Sequence, residues 1–372
     1  MKLAIITHVI HGKESGHYFG YEPYVREMNL WLKFVSDVTI VAPLENIQRN
    51  SIHDFYQHHA IHFTAVPAFH FITPGSRLKA LWQLPKIMVT LYKAMAQADH
   101  IHLRCPGNMG LLGCLVQLFF PSKPKTAKYA GNWDPNARQP LSYRLQKWIL
   151  SNPFLTKNMQ VLVYGEWENS TQNIKPFFTA SYFEKDKEPI SPKSLTGKLR
   201  FLFVGTLSNG KQPLYAVRLV ESLQKKGYEV SLEVYGEGAE RNQLEAYIAA
   251  NNLENVVFLK GNQNQQTLKE AYQKSHFVIL PSLSEGWPKV IAEGMFWGCL
   301  PIASKVSCVP FMLDYGNRGI ILDFNLDTDV NQIAALCSEP NLYQSKVRHA
   351  VDWSRQYTMD VFEEQIKQLV QQ

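Results

Sequence analysis

Residues 281–294 read PSLSEGWPKVIAEG and place two carboxylates, Glu285 and Glu293, eight positions apart. Spacing alone admits an acid/base couple, a pair that grips hydroxyl groups, or two unrelated surface acids. The surroundings discriminate among these. Glu285 follows the apolar run FVILPS (277–282), which has the length and composition of a buried strand. Pro288 suits the first position of the helical stretch KVIAEGMFWG (289–298), which puts Glu293 in that helix's second turn. The free N–H groups near 286–290 would then give the helix start a fixed positive potential. Carboxylates beside such a site repel the anion it attracts, so they suit hydroxyl groups on either side of the anion. Ribose, diphosphate and sugar have that order. Lys211 fits the same chemistry: it closes the polar loop of VGTLSNGKQP (204–213), after the strand LRFLFVG (199–205) and before a helix starting near Pro213. A lysine beside a helix N-terminus makes a phosphate contact.

The elements that position these groups alternate along the whole chain. Strands KLAIIT (2–7), DVTIVAP (37–43), HIHLR (100–104), KTAKYAG (125–131) and NMQVLVYG (158–165) are expected in the first half. A polar stretch with prolines, EKDKEPISPKSLTGK (184–198), breaks the pattern. Strands at 199–205, 230–236, 256–261, 277–282 and 300–304 then alternate with helices at 213–227, 240–252, 266–275 and 289–298. This predicts an α/β protein with two Rossmann-like domains of similar size facing across a cleft, since 372 residues exceed what one core usually holds. The expected boundaries are 1–188 for the first domain, 189–198 for a linker, 199–350 for the second domain, and 351–372 for a C-terminal helix packing back on the first. Ligands of open α/β sheets bind beyond the carboxyl ends of the strands, where Lys211 and Glu285 fall.

Five cysteines, with no C-x-x-C among them, argue for reduced thiols in a cytoplasmic protein and against a zinc site. After MKLAII the chain reaches Thr7 and His8, too early for a secretory h-region, and no apolar run is long enough to span a bilayer. The net charge of +6 is uneven: residues 1–190 hold 20 Lys and Arg against 13 acids, and residues 191–372 hold 18 against 19. In the stretch 76–96, Lys79, Lys86 and Lys93 recur every seven residues among Leu81, Trp82, Leu84, Ile87, Met88 and Leu91, with Pro85 expected to interrupt the helix. An anionic membrane surface is therefore a candidate partner, placing the protein peripherally on the inner face. Nucleic acid is not, because no recognition motif accompanies the charge.

Over about residues 199–335, the ordered segments FVGTLSNGK, VYGEGAERNQLE, KGNQNQQTLKEAY, VILPSLSEGWPKVIAEGMFWGCLPIAS and NRGIIL resemble the C-terminal domain of the family 4 glycosyltransferases. These are retaining enzymes of the GT-B architecture. The resemblance implies that Glu285, with the backbone of Gly286 and Trp287, holds hydroxyls of a donor sugar. It also implies that Glu293 holds the ribose, that Gly205, Thr206 and Lys211 line the diphosphate, and that the turn at Gln263 meets the base. Two positions depart from the family pattern. Thr206 replaces the phosphate-binding arginine, and Pro288 replaces the second glycine of E-G-F-G. Lys289, where the family has an apolar residue, is the natural substitute cation.

The first half matches more loosely. Gly16 and Gly20 stand where the family has a glycine-rich turn, and YAGNWDP (129–135) lacks the family's acceptor-side histidine. Gly16, His17, Arg104, Asn132, Trp133 and Asp134 are the acceptor-side candidates, and His102 also follows a strand. The expected activity is retaining transfer of a hexose from a UDP- or GDP-sugar to a glycan or lipid-linked acceptor in cell-surface polysaccharide or glycoconjugate synthesis. No cofactor or metal is expected, with Lys211, Lys289 and the helix N-terminus supplying positive charge. A non-catalytic nucleotide-sugar-binding subunit is the alternative. A nicotinamide-dependent oxidoreductase fits less well, because Arg241 occupies the third glycine position of YGEGAERNQLE.

Overall fold

A computed structural model describes residues 1–50, 52–68 and 74–371, the side chains of 74–81 excepted. The chain divides into two compact units, 1–177 with 363–372, and 178–362.

The first unit begins with β1 (Lys2–Ile6), β2 (His11–Glu14), β3 (His17–Tyr21), α1 (Glu22–Leu32) and β4 (Asp37–Pro43). It continues through β5 (His53–Phe55), β6 (Ile61–Val66), α2 (Pro74–Gln97), β7 (His100–Cys105) and α3 (Asn108–Val116). β8 (Lys125–Tyr129), α4 (Leu141–Leu150), β9 (Met159–Tyr164) and β10 (Ile174–Phe177) complete it. Seven strands form a parallel sheet in the order β10-β9-β8-β7-β1-β4-β6. The order reverses at β1 and β7. Helices α2, α3 and α4 share one apolar core with a face of this sheet, through residues such as Ile87, Met109 and Ile149. Pro85 does not interrupt α2, contrary to the sequence expectation. Buried Ile87, Leu91 and Met95 anchor the helix, and that packing outweighs one lost backbone hydrogen bond.

The second unit runs β11 (Leu199–Val204), α5 (Pro213–Lys225), β12 (Val230–Tyr235), α6 (Arg241–Ala250), β13 (Val257–Gly261) and α7 (Gln265–Lys274). Next come β14 (Phe277–Leu280), α8 (Lys289–Phe296), β15 (Leu300–Ser304), α9 (Val309–Met312) and β16 (Ile320–Leu322). Helices α10 (Leu326–Cys337), α11 (Pro340–Ser354) and α12 (Met359–Val370) follow, with the unit division falling inside α12. Its parallel sheet has the order β13-β12-β11-β14-β15-β16. Central β14, FVIL, is apolar throughout and wholly buried, as burial on both faces requires.

The division at 177/178 precedes the expected boundary, and 189–198 is not a free linker. The Lys193 amine donates to the carbonyls of Tyr272, Ser275 and Gly298 at 3.2, 2.6 and 2.8 Å, and Gln344 donates to the Lys193 carbonyl. Its polar composition hides this docking, because a buried lysine that satisfies three carbonyls reads in sequence like a solvated one.

Candidate functional site

The second sheet reverses its order between β11 and β14, the kind of place where open α/β sheets take ligands beyond the strand ends. Lys211 comes from the first loop and Glu285 from the second. Their side chains meet in an ion pair of 2.5 Å, with Lys211 30% and Glu285 8% exposed. The backbone joins the same loops, Leu283 N–H donating to the Gly210 carbonyl at 2.9 Å.

Glycines permit the close stacking of the neighbouring loops. A Cβ at Gly236 would lie 1.9 Å from the Gly205 oxygen, and one at Gly238 would lie 2.3 Å from the Leu207 oxygen. Gly236 N–H donates to the Gly261 carbonyl, so the turn carrying exposed Gln263 is held against the same cluster. Thr206 is exposed just past the end of β11.

Helix α8 starts at Lys289, and Pro288 is the residue before it, not its first residue. The difference is one position; the Ile291 N–H donates to the Pro288 carbonyl at 3.0 Å, and the N–H groups of Lys289 and Val290 precede any intrahelical acceptor. Lys289 is half-exposed there and takes part in none of the ion pairs among the described residues. Gly294 lets α8 lie close on β14, since a Cβ would come within 2.7 Å of Val278. The Gly286 carbonyl accepts from Ser307 Oγ and Cys308 Sγ, both at 3.1 Å. The Trp287 side chain turns inward and packs on Trp353 and Tyr357, so only its backbone is placed to meet a ligand.

Glu293 is held by two donors, Ser181 Oγ at 2.5 Å and Tyr272 Oη at 3.1 Å. An ionised carboxylate has further acceptor sites. Burial, and then the Glu293 charge, push the Tyr272 hydroxyl well above its usual range, so it remains a donor.

The first unit distributes its candidates differently. Gly16 and His17 lie at the exposed tip of the β2–β3 hairpin, with Ser15 and Gly16 both at positive φ (50° and 85°). The glycine-rich turn expected from sequence is thus the turn of a β-hairpin, and Gly20 lies within β3. Arg104 is tied to Glu27 at 3.0 Å, and Lys128 holds the other Glu27 oxygen at 2.9 Å. Burial opposes ionisation of Glu27, but Lys128 and Arg104 outweigh it and hold the carboxyl at about 2. Arg104, largely but not fully buried, is thus already engaged in an ion pair within the unit. Asn132, Trp133 and Asp134 follow β8; Trp133 is buried against Tyr129, and the Lys147 amine donates to the carbonyls of Trp133 and Asp134. His102 is buried and bonded to Thr126.

Sequence reasoning passed over His8. It follows β1 at this sheet's order reversal, with its ring against Gly107, where a Cβ would lie 2.7 Å from Nδ1. Partial burial and the Arg104 charge lower its pKa. Only the topology shows that β1 and β7 border the reversal, so a lone histidine after a strand carried no mark of it. Among the described residues no group of three or more His, Cys, Asp or Glu could hold a metal ion, and no helix is long and apolar enough to cross a membrane.

Residues 184–351 match the family model described as Glycosyl transferases group 1. The GtfA subunit of a UDP-N-acetylglucosamine–peptide N-acetylglucosaminyltransferase of Limosilactobacillus reuteri is 30% identical over 134 residues, 36% of this chain and 24% of that protein. A poly(glycerol-phosphate) alpha-glucosyltransferase of Bacillus subtilis is 24% identical over 206 residues, 53% of this chain and 28% of that protein. The chain therefore spans about a quarter of the length of these relatives. Among solved structures, sucrose-phosphate synthase of Thermosynechococcus elongatus superposes with a TM-score of 0.67 at 17% identity, covering 100% of this chain and 98% of the other. Anabaena HepE in complex with UDP gives 0.68 at 14% identity, with complete coverage of both. The fold is that of these GT-B structures.

Proposed function

We propose, from the premise that residues 184–351 share the fold and motifs of the group 1 glycosyl transferases, that this protein transfers a hexose from a nucleoside-diphosphate sugar with retention, as a family 4 enzyme would. The observation that carries the reading is the Lys211–Glu285 pair across the order reversal of the second sheet. It sets a cation and a hydroxyl-gripping acid side by side beyond the strand ends, beside the start of α8. UDP is the favoured nucleotide, because Anabaena HepE was solved with UDP-glucose and a pneumococcal O-GlcNAc transferase with UDP and GlcNAc.

In this reading Glu293 accepts from the ribose hydroxyls and the Gln263 turn borders the base. Glu285, with the backbone of Gly286 and Trp287, holds the sugar. Lys211, Lys289, the backbone at Gly205 and Thr206, and the first-turn N–H groups of α8 stabilise the diphosphate as it leaves, which is where charge develops. The donor phosphate takes the proton of the incoming hydroxyl on the same face of the sugar. The positive charge is the protein's own, so transfer requires no metal or cofactor. The acceptor is a glycan or lipid-linked saccharide of the cell surface, met through the first unit at the cytoplasmic face of the membrane; Asn132 and Asp134 remain the acceptor-side candidates with His8.

A thermal-shift panel of nucleoside diphosphates and their sugars identifies the donor, since a ligand of the folded state raises the melting temperature. Product NMR then reads the anomeric configuration. UDP stabilisation with transfer and retained configuration, undiminished by EDTA, is expected. An inverted product would refute retention, and UDP stabilisation with no transfer to any acceptor would favour the binding-subunit alternative.

A further inference from the structure

Large apolar side chains are exposed unevenly. Among the described residues six large apolar side chains are more than 60% exposed: Tyr315 in the second unit, and Trp82, Phe119, Leu141, Trp148 and Phe154, which all lie on α2, α4 or the turns that follow α3 and α4. α3 packs against both α2 and α4, so these elements form one layer on one face of the first sheet. On α4 the exposed set is Leu141, Leu145 and Trp148, spaced four and three apart, opposite buried Gln146 and Leu150. On α2, Trp82, Val89 and Tyr92 point outward while Ile87, Leu91 and Met95 point inward. Tyr92 meets Phe119 at 6.1 Å between ring centroids, which joins the α2 stripe to the turn after α3. Folding the first unit does not require an apolar outer face on these helices, and contiguous exposed patches of this kind mark interaction surfaces.

The charge follows the same layer. Between residues 67 and 158 there are twelve Lys and Arg and only two acids, Asp99 and Asp134, whereas the rest of the chain is net negative; of the twelve, Lys125 and Lys128 are buried in β8 and Arg104 is paired with Glu27, and the others lie outside the strands. Lys86, Lys93, Arg138, Arg144 and Lys157 are exposed and make no ion pair among the described residues. The Lys157 amine sits 5.1 Å from the Phe154 ring centre, cation beside apolar group.

We infer that the outer face of α2 and α4, with the turns at Phe119 and Phe154, docks on an anionic lipid bilayer. The aromatic and aliphatic groups enter the headgroup–acyl boundary, and the basic groups meet lipid phosphates. A second copy of the chain is a poor occupant, because it would press two strongly basic faces together. The face names the surface behind the membrane-bound acceptor proposed above and stands independently of the donor chemistry.

Sedimentation with phosphatidylcholine vesicles, with and without phosphatidylglycerol, tests this on the full chain. Binding at least about tenfold tighter to the anionic vesicles, weakened by salt, is expected. Trp148→Ser with Phe154→Ser should lower that binding by about tenfold or more, because two exposed anchors are lost. Their melting temperature and UDP thermal shift should stay unchanged, so a failure here is distinct from a failure of the donor assignment. Equal binding to neutral vesicles, no binding to either, or undiminished binding by the double variant overturns the inference. So does concentration-dependent self-association that the double variant abolishes in the absence of vesicle binding.

Discussion

At the residue scale, the proposed donor chemistry has Thr206 where the resembling family has an arginine, and we propose that Lys289 supplies the cation. Lys211 is already paired with Glu285 at 2.5 Å, so part of its charge is balanced before any donor enters. Lys289 occupies the first residue of α8 and has no such partner among the described residues. A cation that tightens on the diphosphate as the sugar bond breaks acts on turnover more than on ground-state binding. Lys289→Ala is therefore expected to lower kcat by about 10- to 1000-fold, the scale of one lost transition-state donor, with a smaller change in KM. Thr206→Arg in the same background should recover part of the loss. Steady-state kinetics with UDP-sugar checks this, and unchanged turnover would make Lys289 a solvated helix residue.

At the element scale, the site depends on loops that pack backbone on backbone. Gly236 has φ of 141° and no room for a Cβ against the Gly205 oxygen. Gly236→Ala should destabilise the second unit by about 3 kcal/mol, read as a lower urea midpoint, because strain and a steric clash coincide. Gly210→Ala in the same region meets open space and should leave the midpoint nearly unchanged. Much of this architecture was legible in the sequence: strands at 37–43 and 300–304 fall where expected, and the others agree to within a few residues. Apolar strand runs and glycine-ended loops announce themselves through local chemistry. What stayed hidden depends on distant partners. The Glu27–Arg104–Lys128 cluster joins α1, β7 and β8, so Arg104 looked like a ligand contact in sequence. The β2–β3 hairpin was also missed, its Ser-Gly turn being read as a ligand loop.

At the scale of the whole molecule, the first unit buries three histidines in its neutral form. Burial lowers His11 and His100 to about 4 and His102 to about 3. Each binds its proton more readily unfolded, at the ordinary value near 6.5, so stability falls as pH drops from 6.5 toward 4. At pH 5 the loss should be about 2 kcal/mol per histidine relative to pH 7. Glu27 works in the opposite sense: its stabilising ionisation is lost only as pH falls toward about 2, outside that window. Urea unfolding at pH 7 and pH 5 measures this, and His100→Gln should flatten part of the slope; equal midpoints at the two pH values would contradict it. The proposed donor site lies in the second unit, and calorimetric titration of UDP into the wild type and Glu293→Ala tests the central claim most directly. Saturable UDP binding is predicted, weakened by about tenfold in the variant as a charge-assisted ribose contact is lost. Absence of UDP binding, or equal affinity in the two proteins, would contradict the assignment of this site to a nucleotide-sugar donor.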